Sequence, residues 1–328
     1  MQRRHFITLL GGAAVAWPLT ARGQRLALPV VAFIRDGTAD ASARFAVAFR
    51  KGLNDTGYVE GQNVTVEYHW LEGKYDRLST LVADLVRRPV AVIVTPGTVQ
   101  AALAAKVATA TIPIVFAVGD DPVRLGLVVS LARPGGNATG INTFVQEVVA
   151  KRLRLLHELV PKAVRVAVLV NPGNATVAES TLRGVQEAAP SIGLQTQILN
   201  ASTIGEIDAA FATLARERLD VLFVAGDAFF FDRRVQLATL TARDRIPAAY
   251  SVRELVAAGG LMSYGTDLAD VFRKVGVYTG SILKGAKPAD LPVLQSTKFE
   301  FVINLQTARA LGIEVPPGVA SIADELIE

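Results

Sequence analysis

The feature that most restricts the folds open to this chain is a rhythm: short runs of β-branched residues, each closed by a polar turn and followed by a helical stretch. Val90-Ala91-Val92-Ile93-Val94 is the clearest of these runs. Five apolar residues with no polar alternation indicate a strand covered on both faces, as in a parallel sheet. The turn Thr95-Pro96-Gly97 follows, and from Thr98 an Ala- and Leu-rich run reads as a helix with Thr98 at its N-cap. The free amides and positive dipole end of such a turn suit a carboxylate or phosphate. A matching unit, Leu219 to Gly226, ends instead on the carboxylate of Asp227. Two such turns facing each other would hold a zwitterion by its opposite ends.

The alternation extends along the whole chain from Leu28 and predicts an α/β fold with helices on both sheet faces. Strands are expected at 30–34, 64–70, 90–94, 114–118 and 139–142. Helices are expected at 43–56, 75–86 and from Thr98 to about Ala110. The order then repeats. Gly37 recurs as Gly173 and Gly57 as Gly193, both 136 residues on, while Val94 and Pro113 have counterparts in Val224 and Pro247. The spacing predicts two similar doubly wound parallel-sheet lobes. Beyond Tyr250 come a strand at 261–264, a helix at 267–284, extended pieces at 291–295 and 299–303 and a short helix near 305–311. This tail has no counterpart in the first copy and is expected to cross between lobes, giving a multi-strand hinge. The expected division is residues 28–142 plus about 265–290 for lobe 1, and 143–264 plus about 291–328 for lobe 2.

Residues 1–23 read as a cleavable signal peptide. Arg3-Arg4 precedes Phe6, Ile7, Leu9 and Leu10, a small-residue run follows, and Ala21-Arg22-Gly23 fits a small-x-small cleavage pattern near Gly23. The adjacent arginines point to the twin-arginine route, and the apolar core is too short to span a bilayer. A periplasmic protein is the expectation. The formal net charge of +4 falls to +1 without Arg3, Arg4 and Arg22, which removes the case for a nucleic-acid partner. The absence of cysteine excludes disulfides, a lipidated cysteine and thiol chemistry.

In parallel α/β sheets ligands sit beyond the carboxyl ends of the strands. The candidate residues are therefore Asp36; Thr95, Pro96, Gly97 and Thr98; Gly119, Asp120 and Asp121; Asn171 and Asn174; Gly226 and Asp227; and Tyr250. Ordinary backbone capping explains any one of these turns taken alone. Asp227 stands out because Phe229-Phe230-Phe231 lies beside it, and aromatic rings near a carboxylate suit an ammonium on an apolar body. Phe229 and Phe230 are expected to face the ligand, with Phe231 packed beneath the next helix. Tyr250 and Tyr264 either line the cleft or fill the core. The sequence holds no Gly-x-Ser-x-Gly elbow, phosphate loop, dinucleotide-binding glycine pattern or metal-ligand spacing. No enzyme, no cofactor and no metal is the expectation, although Asp120 and Asp121 leave acid–base chemistry open.

Several strings carry a family resemblance: Arg3-Arg4-His5-Phe6-Ile7-Thr8-Leu9-Leu10-Gly11-Gly12, Gly57-Tyr58-Val59-Glu60-Gly61-Gln62-Asn63, Asp121-Pro122-Val123, Arg133-Pro134-Gly135-Gly136-Asn137, the stretch Ala257 to Gly265, and Lys298-Phe299-Glu300. From end to end the chain resembles the ABC transporter substrate-binding proteins whose better-known members take tryptophan or other aromatic amino acids. The resemblance implies a type I periplasmic binding fold that delivers a small solute to a membrane permease, and a monomer is the expectation. It also implies that the turns at 95–98, 120–122 and 225–230 contact the ligand. Two rivals share the sequence features: a subunit that presents the bound solute to a membrane receptor, and an exported hydrolase.

Overall fold

Two parallel sheets, each sandwiched between helices, organise the chain. The computed structural model describes residues 28–143 and 145–328, so the signal peptide expected at 1–23 lies outside the described residues. The first half runs β1 (Val30–Arg35), α1 (Ala39–Asp55), β2 (Thr65–Trp70), α2 (Leu78–Val86), β3 (Val90–Pro96), α3 (Val99–Ala108), β4 (Ile114–Val118) and β5 (Ala138–Asn142). The second runs α4 (Val145–Leu159), β6 (Arg165–Val170), α5 (Ala175–Ala188), β7 (Gln195–Asn200), α6 (Ile204–Arg216), β8 (Val221–Val224), α7 (Ala228–Asp232), α8 (Arg234–Arg243), β9 (Ala248–Tyr250), α9 (Arg253–Ala257) and β10 (Met262–Thr266). The tail adds α10 (Leu268–Leu283), β11 (Leu294–Gln295), β12 (Phe299–Asn304), α11 (Leu305–Leu311), α12 (Pro317–Ala320) and β13 (Glu325–Ile327).

The first sheet has the order β11-β5-β4-β3-β1-β2 and the second β13-β12-β10-β9-β8-β6-β7. Strands β1–β5 and β6–β10 therefore follow the same winding, with the chain reversing direction across the sheet between β1 and β3 and again between β6 and β8. All strand pairs are parallel except β10–β12. The central strands are buried nearly throughout, as the unbroken apolar runs require, and edge strands β2 and β7 are more exposed.

The chain passes between lobes three times: between β5 and α4, between β10 and α10, and between β11 and β12. The tail departs from expectation here. β11 pairs with β5 through Leu294 and Ile141, so it extends the first sheet, whereas the sequence pattern assigns residues from about 291 to lobe 2. Likewise β10 continues to Thr266 within the second sheet, so the second crossing falls just after it. The reason is backbone pairing, which apolar patterning does not report.

Lobe 1 closes its outer face with α1 against α10. Thr38 caps α1, its hydroxyl accepting from the Ala41 amide at 3.3 Å. Phe45, Phe49 and Leu53 form the buried stripe. The two helices touch backbone to backbone, since a Cβ on Gly276 would stand 2.2 Å from the Phe49 carbonyl oxygen and one on Gly52 1.9 Å from that of Arg273. Only glycine permits this approach. Among the described residues no helix is long and apolar enough to cross a membrane.

Candidate ligand-binding cleft

The two direction changes in the sheets place polar turns opposite each other. After β1 comes Asp36, 6% exposed. Its Oδ1 accepts from the Gly37 and Gly73 amides, each at 2.8 Å, and its Oδ2 accepts from the Tyr75 hydroxyl. Its own amide donates to Thr98 Oγ1 at 3.0 Å. Thr98 does hold the N-cap position of α3, yet its hydroxyl ties β1 to β3 and makes no cap bond. Gly97, at φ +81°, already donates its amide to the Ala117 carbonyl at 2.9 Å. The amides of the first turn of α3 beyond it have no acceptor within the helix.

Beside Asp36, the buried Arg35 guanidinium lies between the rings of Phe45 and Phe272, at 4.8 and 4.7 Å from their centroids. Its Nε donates to Ser42 Oγ at 2.9 Å. Burial lowers its pKa to about 10, against the opposing pull of Asp36, Asp232 and Glu254.

On the facing lobe Asp227 caps α7. Its Oδ1 accepts from the Phe229 amide at 2.9 Å and Asn171 Nδ2 at 3.0 Å, and its Oδ2 from Asn174 Nδ2 at 2.8 Å. Burial raises its pKa above the ordinary carboxylate value; the three hydrogen bonds pull it down, and Asp36 across the cleft raises it again. The lobes meet directly. Gln100 Nε2 donates to Asn174 Oδ1 at 2.8 Å, Thr38 donates its amide to Asp232 Oδ2 at 3.2 Å, and Arg44 pairs with Glu254 at 2.5 Å. Phe45 and Phe231 close the row with centroids 5.7 Å apart.

Between these contacts lies a cavity of about 180 Å³ lined by both lobes. A single water needs only ~10–15 Å³ by this measure, so the space suits an organic solute. Of the residues expected from sequence, Asp36, Gly97, Gly119, Asp120, Asn174, Gly226 and Asp227 line it. Thr98 and Asn171 sit behind the wall, bonded to Asp36 and Asp227. Thr95 and Pro96 are buried at the end of β3 and do not line the cavity.

The aromatic and outlying candidates fall elsewhere. Asp121 caps a turn, its Oδ1 accepting from the Val123 amide at 2.9 Å. Phe230 and Tyr250 are fully buried in the lobe-2 core, and Gly260 lies against the Tyr250 ring. Tyr264 stacks on Phe299 of β12, and Phe229 packs on Phe230 with Arg233 over its face. Phe231, expected under the next helix, lines the cavity instead, together with Phe45 and Phe272. The 100° turn per residue of α7 decides which of three consecutive rings points into the cleft.

The sequence reading missed Arg152, which also lines the cavity. It is 2% exposed on α4, and its Nε and Nη1 have no hydrogen-bond partner. The signal was available: Val149, Arg152, Leu153 and Leu156 form one helical stripe, and a charge interrupts it.

Twin doubly wound lobes joined by three crossings, with a cavity of polar and aromatic side chains between them, are the architecture of a two-lobed solute-binding protein. Comparison with known proteins gives the class its family. The family model for ABC transporter substrate binding proteins matches residues 29–327, and the chain belongs to that family. A curated relative, the tyrosine-binding protein of Clostridioides difficile (strain R20291), is 27% identical over 266 residues, covering 81% of this chain and 76% of that protein. Among solved structures, a conserved domain protein from Vibrio cholerae is 26% identical with TM-score 0.81, covering 91% of this chain and 99% of that one. An ABC domain in complex with L-Trp from Streptococcus pneumonia is 24% identical with TM-score 0.80, covering 92% and 100%. The type I periplasmic binding fold and the solute-binding role expected from sequence both hold.

Proposed function

We propose that this protein captures an amino acid between its lobes and delivers it to the permease of an ABC importer, without covalent chemistry. The observation that carries the reading is the pairing of two buried carboxylates, Asp36 and Asp227, with three rings, Phe45, Phe231 and Phe272, around one interlobe cavity. The ammonium faces Asp227, whose carboxylate is already oriented by Asn171 and Asn174. The α-carboxylate lies at the first turn of α3, where Val99 and Gln100 line the cavity. Cleft closure buries the solute and adds contacts from the second lobe, so affinity reports the closed state. The names of two similar proteins, one tyrosine-binding and one holding L-Trp, support this ligand class. In this reading the chain is exported by way of its Arg3-Arg4 signal, cleaved near Gly23, and works in the periplasm as a monomer. A thermal-shift screen of the common amino acids tests it. Stabilisation by at least one is expected, and none would overturn the reading.

A further inference from the structure

The amino-acid reading gives no role to Arg152, a charged group of the cavity. Arg152 and Ser180 both line it, on α4 and α5, and both are essentially buried, at 2% and 1% exposure. Arg152 Nε and Nη1 and Ser180 Oγ have no hydrogen-bond partner. The guanidinium stacks on Phe223 at 4.4 Å, which satisfies its face and leaves its edge donors free. Among the described residues no carboxylate pairs with it, and burial alone lowers its pKa. Arg35, by contrast, has Ser42 and the Pro96 carbonyl as acceptors and Asp36 beside it.

We propose that Arg152 and Ser180 form a second subsite, at the far end of the cavity from Asp227, which receives an acidic group on the solute's side chain. Arg152 supplies charge and a fork of donors matched to a carboxylate, and the Ser180 hydroxyl adds a third donor. Position along α5 sets the span. Asn174, which holds Asp227, precedes Ser180 by six residues, about 9 Å of helix rise. That exceeds the reach of an amino acid's own α-carboxylate once its ammonium is at Asp227. The substrate class is therefore an amino acid whose side chain carries its own acid at the tip of a body roughly one aromatic ring long.

The inference rests on the amino-acid reading, and the test separates the two. L-phenylalanine and 4-carboxy-L-phenylalanine are titrated calorimetrically into the wild type, Arg152→Met and Ser180→Ala. In the wild type the carboxylated probe should bind at least tenfold tighter. In Arg152→Met the ratio should fall to about one, and in Ser180→Ala by a few-fold. Equal affinities in the wild type, or an unchanged ratio in Arg152→Met, would overturn the subsite while leaving amino-acid binding intact. In a third arm, benzoate, which has no ammonium, is followed by the NMR signal of the Arg152 Nε–H. A shift of that signal retains the subsite even if no amino acid binds. No shift with either acidic probe removes it.

Discussion

Arg152 offers a sharp stability test, because its uncompensated burial must cost the folded protein something measurable. Burial lowers its guanidinium pKa from 12.5 to about 9, which at 1.36 kcal/mol per unit is a cost of about 5 kcal/mol. Stacking on Phe223 returns ~2 kcal/mol. Replacement by Met, which keeps the long apolar stem, should then stabilise the solute-free protein by about 3 kcal/mol. At roughly 2 °C per kcal/mol for a chain of this size, the melting temperature should rise by about 6 °C. Because the folded-state pKa is depressed below the unfolded one, the cost is fully present below pH 9 and is relieved as pH rises toward 12.5. The gain should therefore be flat between pH 6 and 8 and shrink above pH 9. Calorimetric melts of the dialysed wild type and Arg152→Met provide the measurement. A melting temperature that is unchanged or lower in the variant would show that the buried charge is already compensated.

Four further outcomes follow from the same geometry. Asp227→Asn should weaken binding of an ammonium-bearing solute by ~1.5–3 kcal/mol, the worth of a charge-assisted hydrogen bond, read by titration calorimetry. Because Asp227 must be ionised to pair and burial raises its pKa, wild-type affinity should fade on acidification at a higher pH than for an exposed aspartate; affinity flat down to pH 4 would refute this. Asp232→Ala removes the acceptor for the Thr38 amide and hydroxyl across the cleft, so the solute-free radius of gyration from small-angle scattering should increase. Gly276→Ala would force α1 from α10, since its Cβ meets the Phe49 carbonyl, and should lower stability by ~1–3 kcal/mol in chemical denaturation.

Much of the fold could be read from the chain because its cause is local. Unbroken runs such as Val90 to Val94 signal strands covered on both faces, and the paired landmarks Gly37/Gly173 and Gly57/Gly193 signal duplicated winding. Strand ends were readable for the same reason, and Asp36, Asn174 and Asp227 duly meet in one cavity. Side-chain direction was not readable. Tyr250 ends a strand, yet the lobe-2 core takes it, and α7 presents Phe231 where its neighbours were expected. β11 joins the first sheet through long-range pairing that a two-residue strand cannot advertise. Arg152 is legible as a charge on an apolar stripe, but it lies in mid-helix, away from the strand ends that mark ligand sites in parallel sheets.

The most direct measurement is a crystal structure of the protein with the amino acid that stabilises it most. The expected result is one molecule between the lobes, its ammonium within hydrogen-bond distance of Asp227 and its side chain among Phe45, Phe231 and Phe272. A molecule held outside the cleft, or held by one lobe with the other turned away, would contradict the account.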